Sequence, residues 1–467
     1  MKKKVIIIEP RGGRANVFAD YLNLPLMGTL YLGTILKEAG YEVRILNENF
    51  LGRDVALREL EADYLLLSLL TPTAERGYEI ARTFRTLNPR AVTVIGGIHP
   101  SFLPEEAAEC ADYVVTGEGE EIIVDLLRNG SDEKIVNAPR LIDLESVPIP
   151  DFDLLVNRRK LRITPTMTSR GCPFGCNFCA VTEMFGRGYR MHSIERVMEE
   201  LGRIRTRRAF IYDDNFAANP KRTHELLDRM IEASLPFKWS TQVRADVTRD
   251  TELVAKMKQA GCHRVYIGFE SINPATLEGL EKKQSPEDVR QAIRVFRDND
   301  IGIHGMFMFG SDEDQTPVFR ETAAFCRRNR INSVQFMILT PLPGTGFYKR
   351  MERENRLLHR MWQYYDGMHA VFKPRNFTPA ELQDGAVSAF EDFYSYFSLM
   401  NNALNIFFET ARSVATSFIS GFRVPSMRDS VITLQAKVII RRWKKINRDY
   451  VLYLRGMKRN KVTESKA

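Results

Sequence analysis

The sequence predicts an α/β protein: a doubly wound parallel sheet, then a barrel or partial barrel of six strand–helix units, then a helical C-terminal region. Three observations carry this. Over residues 1–140 short apolar runs alternate with segments of helical period, and a second series of the same kind runs over 161–350. Alternating β and α units build parallel sheets. From 351 onward the strand-like runs stop and apolar residues recur at helical spacing. A chain of 467 residues has room for several cores. The expected units are therefore 1–140, a linker over 141–160, 161–350 and 351–467.

In the first unit KVIIIEP, YEVRILNE, DYLLLSLL, AVTVIGG and DYVVTGEGE read as strands. Polar residues hardly interrupt them, as in strands buried on both faces. Between the first two lies LMGTLYLGTILKEAG, a helix candidate with Gly40 at its end. Ligands of doubly wound sheets sit at the carboxyl ends of the strands. Here those ends carry the glycine-rich turns EPRGGRA, GGIHPSF and GEGEE. Residues 141–160 hold two prolines and no clear period, which reads as a linker.

The second series offers ITPTMTS, RAFIYDDNF, KWSTQVRAD, RVYIGFES, GIHGMFMFG and SVQFMILTPLPGT as strands. Parallel units in this number suggest a barrel or part of one, with its chemistry at the C-terminal mouth.

The formal charge of +8 is unevenly placed. Residues 421–467 hold 13 Lys/Arg against 3 Asp/Glu, a net of +10, which leaves −2 for the rest. The main units thus lack the basic face that nucleic acid requires, and no nucleic-acid partner is expected. No apolar run reaches the roughly 18 residues of a spanning helix. The N-terminal MKKKVIIIEP reads as a first strand and not as a signal peptide. A cytoplasmic protein is expected. In the tail, Ile439, Ile440, Trp443, Ile446 and Tyr450 recur at spacings of three and four, with Arg441, Arg442, Lys444, Lys445 and Arg448 on the flanks and back. Two readings fit: residues 421–467 lie on an anionic inner-membrane surface, or the helix packs on the barrel with a solvated basic face.

Half of the six cysteines crowd into MTSRGCPFGCNFCAV, as Cys172, Cys176 and Cys179. In a reducing compartment such a cluster signals metal or catalysis before disulfides. Thiolates suit zinc, Cu(I) and iron–sulfur clusters. Structural zinc takes four ligands, but Cys110, Cys262 and Cys326 are scattered singly. A cubane cluster takes four thiolates; three leave one iron without a protein ligand, and an open position is where a metal does chemistry. The plainer reading is a zinc knuckle or idle thiols. The loop follows the first strand of the second series, at its mouth.

CxxxCxxC, with Phe178 before the last cysteine, resembles the radical S-adenosylmethionine (SAM) superfamily. The resemblance implies a partial (β/α)6 barrel of TIM type in which the three thiolates hold a [4Fe–4S] cluster. The amino and carboxylate groups of SAM chelate the fourth iron. An external donor of flavodoxin or ferredoxin type supplies the electron that yields a 5′-deoxyadenosyl radical. YDDNF, with Asp213 and Asp214, is similar to the positions that contact the SAM amino group. TQVRAD (Gln242, Arg244) and IGFES (Glu270, Ser271) resemble ribose- and carboxylate-binding positions, and TPLPGT resembles the motif that closes around adenine. Each has a plainer reading: a strand-end Asp also caps helices, and an Arg–Glu pair can be only an ion pair.

A doubly wound sheet ahead of such a barrel, with helices after it, is similar to the cobalamin-binding radical SAM enzymes. NLPLMGTLYLGTILKEAGYEV, GGIHPSFLPEEA and YVVTGEGE carry this resemblance, which spans residues 1–400. It implies a Rossmann-like cobalamin domain with Gly96, Gly97, His99, Gly117 and Glu118 around the cofactor; glycine there lets the backbone come close. The DxHxxG motif that carries a histidine ligand to cobalt in some cobalamin proteins is absent. His99 is therefore expected to line the crevice without ligating. The implied reaction is methylation of an unactivated carbon, with SAM used twice. The alternatives are cyclisation, ring contraction or oxidation without net methyl transfer, and a cobalamin-responsive binding protein, which would not need the cysteines. The segment MWQYYDGMHAVFKPRNFTPAELQDG resembles the one after the barrel in enzymes acting on hopanoids and tetrapyrroles. Trp362, Tyr364 and Tyr365 are then expected either to line a cavity for a large, lipid-like substrate or to be plain core.

Overall fold

The computed structural model describes residues 2–17, 24–138, 142–395 and 428–464. The first sheet is wholly parallel, in the order β2-β1-β3-β4-β5-β6, with β1 Lys4–Glu9, β2 Glu42–Asn47, β3 Tyr64–Ser68, β4 Val92–Gly96, β5 Tyr113–Thr116 and β6 Ile135–Asn137. Its central strands are apolar on both faces because both faces are covered. Val5 and Ile7 of β1 enter one core with Leu30 and Leu36 of the helix Met27–Glu38, while Ile6 and Ile8 enter another with Ile80 and Phe84 of the helix Ala74–Leu87. The strand order reverses between β1 and β3, which opens a crevice at their carboxyl ends. Five of the six strands lie within runs that the sequence marks. β6 was not expected: with three residues, it is too short to show a period.

Residues 142–160 form three single 3₁₀ turns and pack on the first sheet. Ile142, Leu144, Val147, Leu154 and Leu155 join its core, and Leu155 bridges Ile45 of β2. Two prolines hide the apolar residues that anchor this stretch.

The second large sheet is again parallel, in the order β14-β13-β12-β11-β10-β7. Its strands are β7 Thr164–Thr166, β10 Arg208–Ile211, β11 Lys238–Val243, β12 Cys262–Glu270, β13 Gly302–Phe309 and β14 Ser333–Ile338. A small antiparallel pair, β8 Ser169–Arg170 with β9 Arg190–Met191, brackets the cysteine loop. β7 and β14 are edges, so the barrel is partial. The curl is visible in the side chains. The rings of Phe210 on β10 and Tyr266 on β12 lie 5.4 Å apart although β11 runs between them. The outer face packs under helices with well-made starts, such as Pro286–Asp298, where Ser285 and Asp288 form a capping box.

The C-terminal helices complete the barrel's core. Ile440, Trp443, Tyr450 and Leu454, from the helices Arg428–Ile446 and Arg448–Glu464, are buried in it. Of the two readings of this face, the residues Ile440, Trp443 and Tyr450 follow the one in which the helix packs on the barrel: Trp443 is 3% exposed and lies 5.4 Å from the His369 ring, while Leu434, Val438 and Leu452 of the same helices stay exposed. Ile446 leaves the expected face and is 39% exposed, because the helix breaks at Asn447. That residue is buried, donating to Ala15 O at 2.9 Å and pairing with His369 Nε2 at 2.9 Å. Arg441, Arg442, Lys444, Lys445 and Arg448 are exposed, as a solvated basic face requires. Residues 421–427 and 465–467 of the expected contact segment lie outside the described residues. Among the described residues no helix is long and apolar enough to cross a membrane. Trp362 and Tyr365 are core: they pack with Ile8, Leu69 and Tyr78 of the first sheet's unit.

Candidate active site

Cysteines 172, 176 and 179 sit on one loop between β8 and the short helix Ala180–Phe185. The turn into the loop needs glycine. Gly171 has φ +87°, and a Cβ there would lie 2.5 Å from Gly188 O. Inside the loop Cys179 N donates to Cys176 O at 3.1 Å and Thr182 Oγ1 to Phe174 O at 2.8 Å. All three thiols are half-buried. Burial pushes Cys172 up and Cys179 up to about 12, and the neighbouring thiols and Asp214 add to both shifts. The loop thus gathers soft donors whose thiolates repel one another until a cation joins them. Among the described residues no His, Cys, Asp or Glu side chains are grouped in threes around a single metal-sized centre. A cubane asks for a different arrangement, one thiolate on each of separate irons, and a short loop of three thiols fits it. Phe178 packs against the barrel core.

The remaining predicted residues divide into open and occupied. Asp214 is half-buried and accepts from Gly171 N at 3.1 Å through one oxygen only; burial and Asp213 raise it to about 6. Gln242 lies on the inner face of β11, half-buried. Asp213 is not an open contact, contrary to expectation. It is fully buried, and its carboxylate accepts from Thr168 N at 2.7 Å, Thr168 Oγ1 at 2.5 Å, Ser169 N at 3.1 Å and Ser169 Oγ at 2.7 Å. Four donors saturate its oxygens, so it fixes the backbone that leads into the cysteine loop. Arg244 is also occupied: it lies 3.8 Å over the Phe174 ring and donates to Lys282 O at 2.8 Å. It therefore clamps the loop onto the end of β11. Glu270 pairs with Lys282 Nζ at 2.6 Å, both buried. Its φ of +59° turns the carboxylate back over Gly268, where a Cβ would collide with it. Ser271 Oγ accepts from Asn273 N at 3.0 Å.

In the first sheet, Gly97 has φ +104°, and a Cβ there would lie 2.7 Å from Leu69 N and O, so the β4 end packs backbone to backbone on the β3 end. Gly96 O accepts from Leu69 N at 2.8 Å. Gly117, with φ +79°, donates to Ser101 Oγ at 3.0 Å. His99 does not line the crevice as expected. It is fully buried, edge-on to Trp362 at 5.1 Å, with Nδ1 3.4 Å from Thr71 Oγ1 and Nε2 3.5 Å from Glu106. The Trp362 ring from the C-terminal region covers it, and nothing local in the sequence signals that contact. Glu118 is likewise occupied: it is buried and pairs with Arg170, which immediately precedes Gly171, and with Arg190 Nη1 at 2.6 Å. Arg170 also meets Glu120 at 2.9 Å.

Sequence reasoning missed three of these groups. Arg170 and Arg190 stand 52 and 72 residues from Glu118, too far apart for a local pattern. Glu9 ends β1 at the crevice, buried and accepting from Leu26 N at 3.2 Å, Thr29 Oγ1 and Asn47 Nδ2; burial raises it to about 7. A lone carboxylate closing an apolar strand was its available signal. Tyr212, at the end of β10 on the barrel side, packs against the first sheet's core. The two mouths therefore face each other through Tyr212 packed on the first sheet's core, through Arg170 with Glu118 and Glu120, and through Phe102, which lies so close to Gly344 that a Cβ there would collide with its ring.

The geometry sets a loop of three thiols at a barrel mouth that faces the carboxyl end of a doubly wound sheet, the arrangement expected of a radical SAM barrel joined to a cofactor-binding domain. Comparison with known proteins agrees. The Radical SAM superfamily profile matches residues 166–325 and the B12 binding domain profile residues 13–127. An uncharacterized methyltransferase of Pyrococcus horikoshii is 30% identical over 405 residues, 79% of this chain and 88% of its own. The bacteriochlorophyllide d C-12(1)-methyltransferase of Chlorobaculum tepidum is 27% identical over 85% of this chain and 89% of its own. The structure of the radical SAM methyltransferase TsrM from Kitasatospora setae, with cobalamin and [4Fe–4S] cluster bound, has the same fold, with a TM-score of 0.62 at 18% identity over 76% of this chain and 78% of that one. The chain belongs to the cobalamin-binding radical SAM enzymes, whose cofactors are a [4Fe–4S] cluster, SAM and cobalamin.

Proposed function

We propose that this enzyme methylates an unactivated carbon of a large, mostly apolar small molecule held between the two mouths. The observation that carries the reading is the buried Arg170–Glu118–Arg190 bridge, which ties the entry of the cysteine loop to the glycine-rich end of the first sheet. A substrate carbon between these edges would lie between the residues that would hold the two cofactors. When bound, the cluster and SAM supply hydrogen-atom abstraction and cobalamin supplies the methyl group.

The side chains bind, orient and exclude water. Cys172, Cys176 and Cys179 would hold the cluster, and Phe178 beside them packs against the barrel core. Asp214, with an oxygen free, is the group suited to a cationic amino function of SAM, and Gln242 offers a neutral hydrogen-bonding side chain on the same mouth. Arg244, Asp213 and the Glu270–Lys282 pair are positioning residues, since their polar atoms are already engaged. Gly96, Gly97 and Gly117 would shape the floor that holds cobalamin, and Glu118 would act on that floor indirectly, through Arg170. An external one-electron donor of flavodoxin or ferredoxin type completes the cycle. Support for an apolar substrate comes from the Chlorobaculum relative, whose name gives a bacteriochlorophyllide as its substrate.

The test is a co-product assay on reconstituted protein supplied with extracted tetrapyrroles and lipids. Methylation releases S-adenosylhomocysteine together with 5′-deoxyadenosine. Substrate turnover with 5′-deoxyadenosine alone refutes methyl transfer and favours cyclisation or oxidation.

A further inference from the structure

The inner face of the curled sheet carries side chains that the roles above leave unused. Along β12, Val265, Ile267 and Phe269 are buried in the outer core, so alternation turns Arg264, Tyr266 and Gly268 inward. Tyr266 confirms the direction, with its ring 5.4 Å from Phe210 and 4.9 Å from His304. Phe210 in turn lies 5.2 Å from Tyr212. Tyr266, His304, Phe210 and Tyr212 are only half-buried, whereas their neighbours along the strands are buried; Arg264 is half-buried between half-buried His263 and buried Val265. Their partial exposure makes the inner wall solvent-accessible along these side chains, and that wall is aromatic.

Arg264 stands lowest on that wall. Among the described residues it makes no ion pair, and its Nε is buried without a hydrogen-bond partner. Space is kept beside it: a Cβ at Gly302, its partner in register on β13, would lie 3.6 Å from Nε. Next to it His304 Nδ1 lies 2.8 Å from Ser333 Oγ, and burial, with Arg264 adding to it, lowers that imidazole to about 4, so it is neutral at physiological pH. Arg208 and Lys238, paired in register at the lower ends of β10 and β11, are exposed and add positive potential at the same end. A guanidinium with a buried, unmet donor is stabilised by an anion, and its fork matches a carboxylate.

We propose that the substrate carries a carboxylate which seats on Arg264 at the floor of the lumen, while a flat, unsaturated body stacks along Tyr266, His304 and Phe210 toward the mouth. The inference rests on the function proposed above and narrows its substrate class from large apolar molecules to planar acids. About 13 Å of strand separates Arg264 from Gly268 near the mouth, so the acid group and the reacting carbon stand at opposite ends of the molecule. A saturated lipid without an acid leaves Arg264 unpaired and forgoes the aromatic wall.

The test uses a matched pair of probes, 1-pyrenebutyric acid and its methyl ester, titrated into protein reconstituted with cluster and cobalamin and read by fluorescence polarisation. The acid is expected to bind about tenfold more tightly than the ester. Arg264→Gln should erase that preference, and Arg264→Lys, which keeps the charge, should restore part of it. Equal affinity for the two probes, binding of neither, or a preference that survives Arg264→Gln overturns the proposal. Dithionite-driven release of 5′-deoxyadenosine from SAM, measured on the same preparation, separates the two levels. With release intact and no acid preference only this inference falls, whereas no release removes the function beneath it.

Discussion

At the level of single residues, local chemistry was legible and long-range pairing was not. Three cysteines within eight positions announce themselves, because a cluster loop gathers its ligands from contiguous chain. Replacing Cys172 by Ala removes one iron's thiolate, and the expected outcome is loss of dithionite-driven SAM cleavage, read as 5′-deoxyadenosine. Release at the wild-type level would show that the loop does not hold the cluster. Glu9 carries a different signature. Its folded value of about 7 lies above the ordinary 4.5 because burial opposes its charge. Between those values the folded protein keeps a proton that the unfolded chain has lost, so stability contributed by this group falls as pH rises from 4.5 to 7. The full shift corresponds to about 3 kcal/mol. Glu200, raised to about 7 in the same way, acts in the same direction, so the informative quantity is a difference. Going from pH 5 to pH 8, the urea midpoint of apo wild type should drop further than that of Glu9→Gln. Parallel pH profiles for the two proteins would show that Glu9 is not the group responsible.

At the level of elements, the strands were legible because strands buried on both faces read as unbroken apolar runs, as β1 and β3 do. Two elements escaped for physical reasons. β6 takes its place from pairing with β5 and not from its own three residues. In the tail, the apolar period marks Ile440, Trp443 and Tyr450, all buried, and misplaces Ile446, while Asn447 reads as one polar residue among many. It is the break between two helices and the hinge of their docking. Asn447→Ala leaves Ala15 O and His369 Nε2 without their partner in a buried site, at a cost of about 1–3 kcal/mol. Hydrogen exchange over residues 434–455 should speed up in this variant, while exchange in β10–β13 stays slow. Unchanged protection across the tail helices would mean that Asn447 is not what docks them.

At the level of the whole molecule, the order of the two sheets was readable and their mutual grip was not. The grip depends on charges that meet only after both sheets have formed. Glu118 has its side chain 1% exposed and faces Arg170, 6% exposed, and Arg190, 16% exposed. Two cations brought together in a closed interface are tolerable only while the carboxylates remain, because burying an unpaired charge costs far more than the pair contributes. In Glu118→Ala, Glu120 still meets Arg170 at 2.9 Å, but Arg190 loses its only ion-pair partner among the described residues. The expected loss is about 3–5 kcal/mol in chemical unfolding, and the first contacts to yield are those between the sheets. Functionally the two halves should then uncouple. The cysteine loop is still built within the barrel by Gly171, Asp213 and Arg244, so SAM cleavage continues, while methyl transfer, which needs both mouths in register, falls behind. The ratio of 5′-deoxyadenosine to methylated product should therefore rise above the wild-type value. If that ratio and the unfolding midpoint both match wild type in Glu118→Ala, the bridge is incidental. A double replacement, Glu118→Gln with Arg190→Gln, removes one charge of each sign. It should recover part of the lost stability without recovering the coupling, because the neutral pair fits the space but no longer pulls Arg170, and with it the entry to the cysteine loop, toward the first sheet.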